Sequence, residues 1–114
     1  MKDHSNDVVK TADVIGKNVI NRENEKLGKI EEIVLEKVSG QTRYAVLSFG
    51  GFLGLGDDLY AIPWQAMEYC PEENSFIINI DKEKLKTASG FNKDNWPDFA
   101  DPTWLQSFND FYNF

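Results

Sequence analysis

Residues 42–64 read TRYAVLSFGGFLGLGDDLYAIPW, and this stretch is the most informative about the fold. Aromatic and β-branched side chains fill residues 42–49, which is typical of a central strand. Alternation places two sets of side chains on opposite faces, Arg43, Ala45, Leu47 and Phe49 against Tyr44, Val46 and Ser48. After the glycine-rich residues 50–58, a second strand runs over 59–62, and Pro63 must end it or place it at a sheet edge. The pattern predicts a β-hairpin.

Four further short apolar runs flank this hairpin, at residues 19–20, 27–35, 67–70 and 76–80. Turn-forming segments of hairpin length separate them, and no intervening helix is long enough for a crossover. The sequence therefore predicts a mainly β fold, a six-stranded antiparallel barrel or roll. Short helices are expected near Thr11, as an N-cap, and after Asp81, which precedes residues 82–88 as another N-cap.

Aromatic side chains are concentrated at the end of the chain. Asp101 followed by Pro102 predicts an N-cap and a first helical position. The residues that then recur at helical spacing are Trp104, Leu105, Phe108, Phe111 and Tyr112. Each would contribute about 1.5–3 kcal/mol if fully buried, so we expect an amphipathic helix that packs on the barrel or on another subunit. The chain then divides into a polar lead (1–10), a barrel domain (11–90) and a helical extension (91–114).

Bulk composition limits the partners and the compartment. The 114 residues suffice for one core, and their net charge of −7 disfavours binding to nucleic acid. No apolar stretch is long enough for a membrane span or a signal peptide, so we expect no integral membrane segment. The lone cysteine, Cys70, cannot form an intrachain disulfide, which fits a cytoplasmic protein.

Catalytic and cofactor chemistry lacks the residues it needs. The only histidine is His4, in the polar lead, so we expect no catalytic site and no metal site based on histidine and cysteine. The glycine-rich loop is followed by two aspartates and a strand, not by the helix or the Gly-Lys-Ser/Thr ending of phosphate-binding loops, so we expect no cofactor.

Two sets of apolar residues are candidates for a protein interface. Phe52, Leu53 and Leu55, in the glycine-rich loop, either fold back into the core or form an exposed contact patch. Trp64 is either a core aromatic or a platform that binds a peptide at the mouth of the barrel.

Four separated blocks together resemble the PRC-barrel family: DVIGKNV (13–19), LGKIEEI (27–33), YAVLSFGGFLGLG (44–56) and YAIPW (60–64). The resemblance spans about residues 11–91. It implies a small SH3-like barrel that serves as an interaction or assembly module, with no common activity and no common cofactor. The family is named for the cytoplasmic domain of the photosynthetic reaction centre H subunit, and it includes a domain of a ribosome maturation factor.

These observations favour a non-catalytic protein-binding or assembly module that self-associates as a homodimer, through the 52–55 loop, the C-terminal helix or both. The resemblance leaves two alternatives open. One is peripheral docking on a membrane complex of photosynthesis or electron transfer, and the other is ribosome maturation through a ribosomal protein. An enzyme that uses carboxylates alone is a further alternative, and it would require two close acidic groups in a deep pocket.

Overall fold

The computed structural model describes residues 8–49, 58–88 and 90–112. Its elements, in chain order, are α1 (Thr11–Val14), β1 (Asn18–Ile20), β2 (Lys26–Leu35), β3 (Thr42–Phe49), β4 (Asp58–Pro63), a 3₁₀ turn (Trp64–Ala66), β5 (Met67–Cys70), β6 (Ser75–Ile78), α2 (Lys82–Leu85) and α3 (Pro102–Tyr112). The candidate interface residues Phe52, Leu53 and Leu55 lie outside the described residues.

The six strands form one curled sheet, a half-barrel, in the order β4-β3-β2-β1-β6-β5. The prediction of six strands is confirmed, but the prediction of a purely antiparallel sheet is wrong. Strands β1 and β6 run parallel, with Val19 opposite Phe76 and Ile20 opposite Ile77. Hairpin-length connections force antiparallel pairing only between strands that are consecutive in the chain. Because β1 and β6 are joined through all the other strands, no short connection dictates their relative direction.

Strand β2 approaches β3 closely at Gly28. In the pairing with β1, Val19 lies opposite Gly28 and Ile20 opposite Lys26, so Leu27 is the extra residue of a β-bulge. Gly28 has a φ of 153°, and a Cβ there would overlap the carbonyl oxygen of Ser48. Only glycine therefore fits at this position without moving β3.

The turn between β1 and β2 is organised by one buried amide, the side chain of Asn21, which is 1% exposed. Its Oδ1 accepts hydrogen bonds from the backbone N–H groups of Glu23 (3.1 Å) and Glu25 (2.9 Å). Its Nδ2 donates to the Ile80 carbonyl oxygen at 3.2 Å and to Glu25 Oε1 at 2.8 Å. This side chain therefore ties the turn to the segment that follows β6.

The core lies on the concave side of the sheet. On β3, Ala45, Leu47 and Phe49 are buried there, as the alternation predicts. Residues from the other elements complete this core, namely Val14, Val19, Leu27, Ile30, Tyr60, Ile62, Phe76, Ile78, Ile80 and Leu85. Val46, on the opposite face of β3, is also fully buried, so this part of the sheet is covered on both faces.

The helix caps follow the sequence prediction at two of three ends. Asp81 accepts from the Glu83 N–H at 3.1 Å, and Asp101 accepts from the Thr103 N–H at 3.0 Å, so both aspartates act as caps. The predicted cap at Thr11 is wrong, because Thr11 is already helical and Lys10, which makes no side-chain cap, precedes it.

Candidate binding surface

The C-terminal extension, described for residues 91–112, packs on the convex side of β3. Tyr44 is the centre of this contact. Its ring centroid lies 5.4 Å from that of Phe99, 5.6 Å from Trp104 and 5.0 Å from Phe108. Phe108 is 8% exposed. The extension therefore covers the second apolar face of the sheet within the same chain.

The extension also occupies the free edge of β4. Phe91 exchanges two backbone hydrogen bonds with Leu59, of 2.7 and 2.8 Å. Tyr112 donates its hydroxyl to the Ala61 carbonyl oxygen at 3.0 Å, two residues further along the same edge. Pro63 is the next alternate residue of the strand after Leu59 and Ala61, and proline has no backbone N–H that could donate at this edge. This edge is therefore closed against pairing with another strand.

The candidate interface residues of α3 are thus brought together on the chain's own barrel. Trp104, Phe108 and Tyr112 lie in a row along one side of the helix, with centroid distances of 4.9 Å between successive rings. Phe111 packs against the core and lies 5.7 Å beneath the Lys84 ammonium. Leu105 is half-buried beside a shallow cleft that also includes Arg43 and Asn109.

Burial of the Tyr112 hydroxyl makes docking of α3 sensitive to high pH. Burial, and then the nearby Tyr60, raise the pKa of Tyr112 well above its usual value. Because the folded state favours the neutral phenol, its contribution to stability is complete below the unfolded pKa of about 10 and is lost as the pH rises above that value.

We therefore expect Tyr112→Phe to lower the free energy of unfolding by about 1 kcal/mol at neutral pH, because the Ala61 carbonyl loses its donor. Above about pH 10, the wild type should lose stability more steeply than the variant, since only the wild type carries this titrating phenol. Urea unfolding at a series of pH values checks both. Equal slopes for the two proteins would contradict this account of the contact.

At the opposite end of the sheet an apolar groove remains open, and we call it the β5 groove. Its volume is about 590 Å³. Its apolar lining is Val8, Val9, Val14, Trp64, Met67, Tyr69, Pro71 and Phe76. Trp64 and Tyr69 both pack on the Phe76 ring, at centroid distances of 5.7 and 5.4 Å. Trp64 therefore packs at the margin of the core and also lines a surface groove.

Sequence reasoning assigned Val8 and Val9 to a polar lead and so missed one wall of the groove. Val8 is 95% exposed and Val9 is 60% exposed. Tyr69, on the other wall, is 47% exposed. Two adjacent valines at the end of an otherwise polar segment were the signal that could have indicated this surface.

The polar groups of the β5 groove are few and are engaged with neighbours. Asp13 forms an ion pair with Lys10 at 3.9 Å. Lys17 donates to Asn74 Oδ1 at 2.8 Å, and the Tyr69 hydroxyl donates to the same oxygen at 3.1 Å. These contacts fix the rim of the groove and contain no pairing of a nucleophile with a base.

Within residues 8–49, 58–88 and 90–112, no three or more His, Cys, Asp or Glu side chains are grouped so that they could hold a metal ion. Over the same residues, none of the helices combines the length and the apolar character that crossing a bilayer requires.

A family model for the PRC-barrel domain matches residues 6–85 of this sequence. The chain belongs to the PRC-barrel family. The family resemblance seen in the sequence blocks is thereby confirmed. All residues of the β5 groove fall inside the PRC-barrel domain, whereas α3 and the rest of the extension lie beyond the matched range.

Among solved structures, the PRC-barrel chain is similar to RimM from Pseudomonas aeruginosa, which is assigned to 16S ribosomal RNA processing. The two share 15% sequence identity with a TM-score of 0.45, over 73% of this chain and 50% of RimM. This chain thus corresponds to about half the length of that protein. No protein with a curated function matches it.

Proposed function

We propose that this PRC-barrel protein is a non-catalytic protein-binding module that self-associates, and that the β5 groove is its binding surface. The observation that carries the proposal is the apolar lining of the groove, in which the exposed Val8, Val9 and Tyr69 adjoin more deeply buried aromatic rings. Aromatic side chains in a pocket that excludes water supply most of the binding energy of protein interfaces. Trp64, Tyr69 and Phe76 supply aromatic rings to the lining of the groove, and a partner seated on them would exclude water from the exposed Tyr69 ring.

The alternative surface of α3 is already used by the chain itself. The sequence predicts that the aromatic helix needs a partner surface, and the convex side of β3 and β4 supplies one through Tyr44 and Ala61. Because the apolar face of α3 is already covered within its own chain, it does not need a second subunit to cover it. The exposed valines and Tyr69 of the β5 groove still lack such a cover among the described residues.

Sedimentation velocity of the full chain over a range of micromolar concentrations tests the proposal. We expect a dimer whose fraction rises with concentration, and we expect Val9→Glu to shift the protein to monomer. Because Val9 is 60% exposed, this change should leave the fold intact. Leu35→Glu is the matched control, since Leu35 is 49% exposed on β2 and does not line the groove. The control should dimerise like the wild type.

A protein that remains monomeric at all concentrations would refute self-association. The two alternatives from the sequence make different predictions: a peripheral subunit would co-sediment with membranes until a salt wash, and a ribosome-maturation factor would co-sediment with ribosomal subunits. Neither behaviour requires the chain to form a dimer. These fractions of the native cell therefore separate the three functions.

A further inference from the structure

The two edges of the sheet differ in whether other residues of the chain cover them. The β4 edge is occupied by Phe91 and Tyr112 and ends in Pro63. Strand β5 ends the sheet on the other side, and among the described residues no further strand pairs with it. An unpaired edge presents backbone donors and acceptors that can pair with another chain. The β5 edge also lies beside the groove, because Met67 and Tyr69 both line it.

Building on the proposed self-association, we infer that two copies pair through β5, edge to edge and antiparallel, about a two-fold axis centred on Tyr69. Pairing of this kind would extend the sheet across both copies and would join their two grooves into one apolar surface. A two-fold interface of this type uses the same patch on both subunits. It would cover the exposed ring of Tyr69 with its own counterpart.

The register follows from the alternation of side chains. Residues directly opposite each other in an antiparallel pair point to the same face, so a two-fold axis must pass through a residue that faces itself. Within β5 the two inner residues are Glu68 and Tyr69. Centring on Glu68 would place two carboxylates opposite each other, which is destabilising, whereas centring on Tyr69 would place two aromatic rings opposite each other, which is favourable.

Local charge favours a second copy over a partner of opposite charge. The chain as a whole carries −7, which opposes self-association in general. The lining of the β5 groove contains one acid and one base, Asp13 and Lys17. The single charge on β5, Glu68, is paired with Arg22 at 3.2 Å. The groove lining and β5, counted together with Arg22, therefore carry no net charge, and the next acids along the chain, Glu72 and Glu73, lie beyond the end of the strand in the β5–β6 turn. Two copies can approach each other along β5 with less repulsion than the average surface would impose.

Disulfide trapping tests the register directly. In a Cys70→Ser background, Tyr69→Cys places a thiol on the proposed axis, and Glu68→Cys places one a single residue away. Opposite residues in an antiparallel pair have Cα atoms about 4.5–5.5 Å apart, within the span of about 4.4–6.8 Å that a disulfide bridges. Val38→Cys, at a fully exposed position on the β2–β3 turn, gives the rate at which disulfides form by random collision.

Under a mild oxidant, we expect the Tyr69→Cys protein to form covalent dimers at least about tenfold faster than the other two, because thiols held in one complex react at a high effective concentration. Faster trapping of Glu68→Cys, or equal rates for all three, would overturn the pairing. In the unsubstituted chain, hydrogen exchange at residues 67–70 should slow as the protein concentration rises. Exchange that is independent of concentration would also overturn it.

Sedimentation of the reduced Cys70→Ser parent separates this inference from the proposed function. A dimer without preferential trapping at Tyr69 would refute the β5 pairing while leaving self-association intact. A monomer at all concentrations would refute both. A monomer that binds a different protein through the groove would likewise refute the pairing of two copies.

Discussion

Replacing Phe108 by alanine is expected to lower the free energy of unfolding by about 3 kcal/mol, the low end of the range for removing a buried phenylalanine. The side chain is 8% exposed and is in contact with three rings. Its centroid lies 5.0 Å from Tyr44, 4.9 Å from Trp104 and 4.9 Å from Tyr112. Its loss would open a cavity between α3 and the convex face of β3. Urea unfolding followed by tryptophan fluorescence measures the change.

The neighbouring Ser107→Ala is the matched control for Phe108→Ala. Ser107 is exposed on the same helix, and alanine favours a helix, so we expect a change of less than about 0.5 kcal/mol. The loss caused by Phe108→Ala should be the same at all protein concentrations, because the helix packs on its own chain. A loss that varies with concentration would indicate that α3 docks on a second subunit instead.

The features of the fold that could be predicted from sequence are those with a local physical signal. Alternation along β3 separates Ala45, Leu47 and Phe49 from Tyr44 and Val46, and the structure confirms both faces. The structure adds what covers the second face of β3, since the rings of the extension pack on Tyr44. Asp81 and Asp101 are caps because short carboxylates before a helix accept its first N–H groups.

What could not be predicted depends on contacts between residues distant in sequence. Pairing of Val19 with Phe76 has no signal in either segment, because each reads only as a short apolar run. The choice between packing α3 on the barrel or on another subunit depends on the whole convex surface. The β5 groove likewise combines Val9 with Tyr69, which are far apart in sequence, so the two valines could indicate an exposed apolar segment but not the groove that it forms with Tyr69.

The extension changes which surfaces of the PRC-barrel domain are available. Residues beyond the matched range cover the convex face at Tyr44 and close the β4 edge at Leu59 and Ala61. The β5 groove and β5 edge keep their exposure. Under the proposed self-association, closure of the β4 edge leaves the β5 edge for strand pairing between copies, which favours a closed dimer over an open chain of subunits.

Asn21→Ala is expected to destabilise the fold by about 3 kcal/mol, because the substitution removes four hydrogen bonds at a buried position. The backbone N–H groups of Glu23 and Glu25 lose their acceptor, and the Ile80 carbonyl oxygen loses a donor. Methyl-sized alanine cannot replace any of these contacts, and Asn21 is only 1% exposed, so water has little access to them. Chemical unfolding compared with the wild type gives the value.

Asn21→Asp separates hydrogen bonding from packing at the same site, because the two side chains have nearly the same shape. The carboxylate keeps the acceptor for the Glu23 and Glu25 N–H groups, but it cannot donate to the Ile80 carbonyl oxygen and it lies beside Glu25. Burial, the nearby Glu25 carboxylate and the Ile80 carbonyl oxygen should raise the pKa of the new carboxyl. The stability that the variant lacks relative to the wild type should therefore shrink as the pH falls, because a proton on the carboxyl restores one donor.

The control for both substitutions is Asn92→Ala, which removes a similar amide contact, from the Asp94 N–H at 3.0 Å, at an exposed turn. We expect it to cost less than about 1 kcal/mol, since water replaces the lost acceptor. If Asn21→Ala costs no more than Asn92→Ala, the tie between the β1–β2 turn and Ile80 does not stabilise the sheet. The parallel pairing of β1 with β6 would then depend on the apolar contacts of Val19 and Phe76 alone.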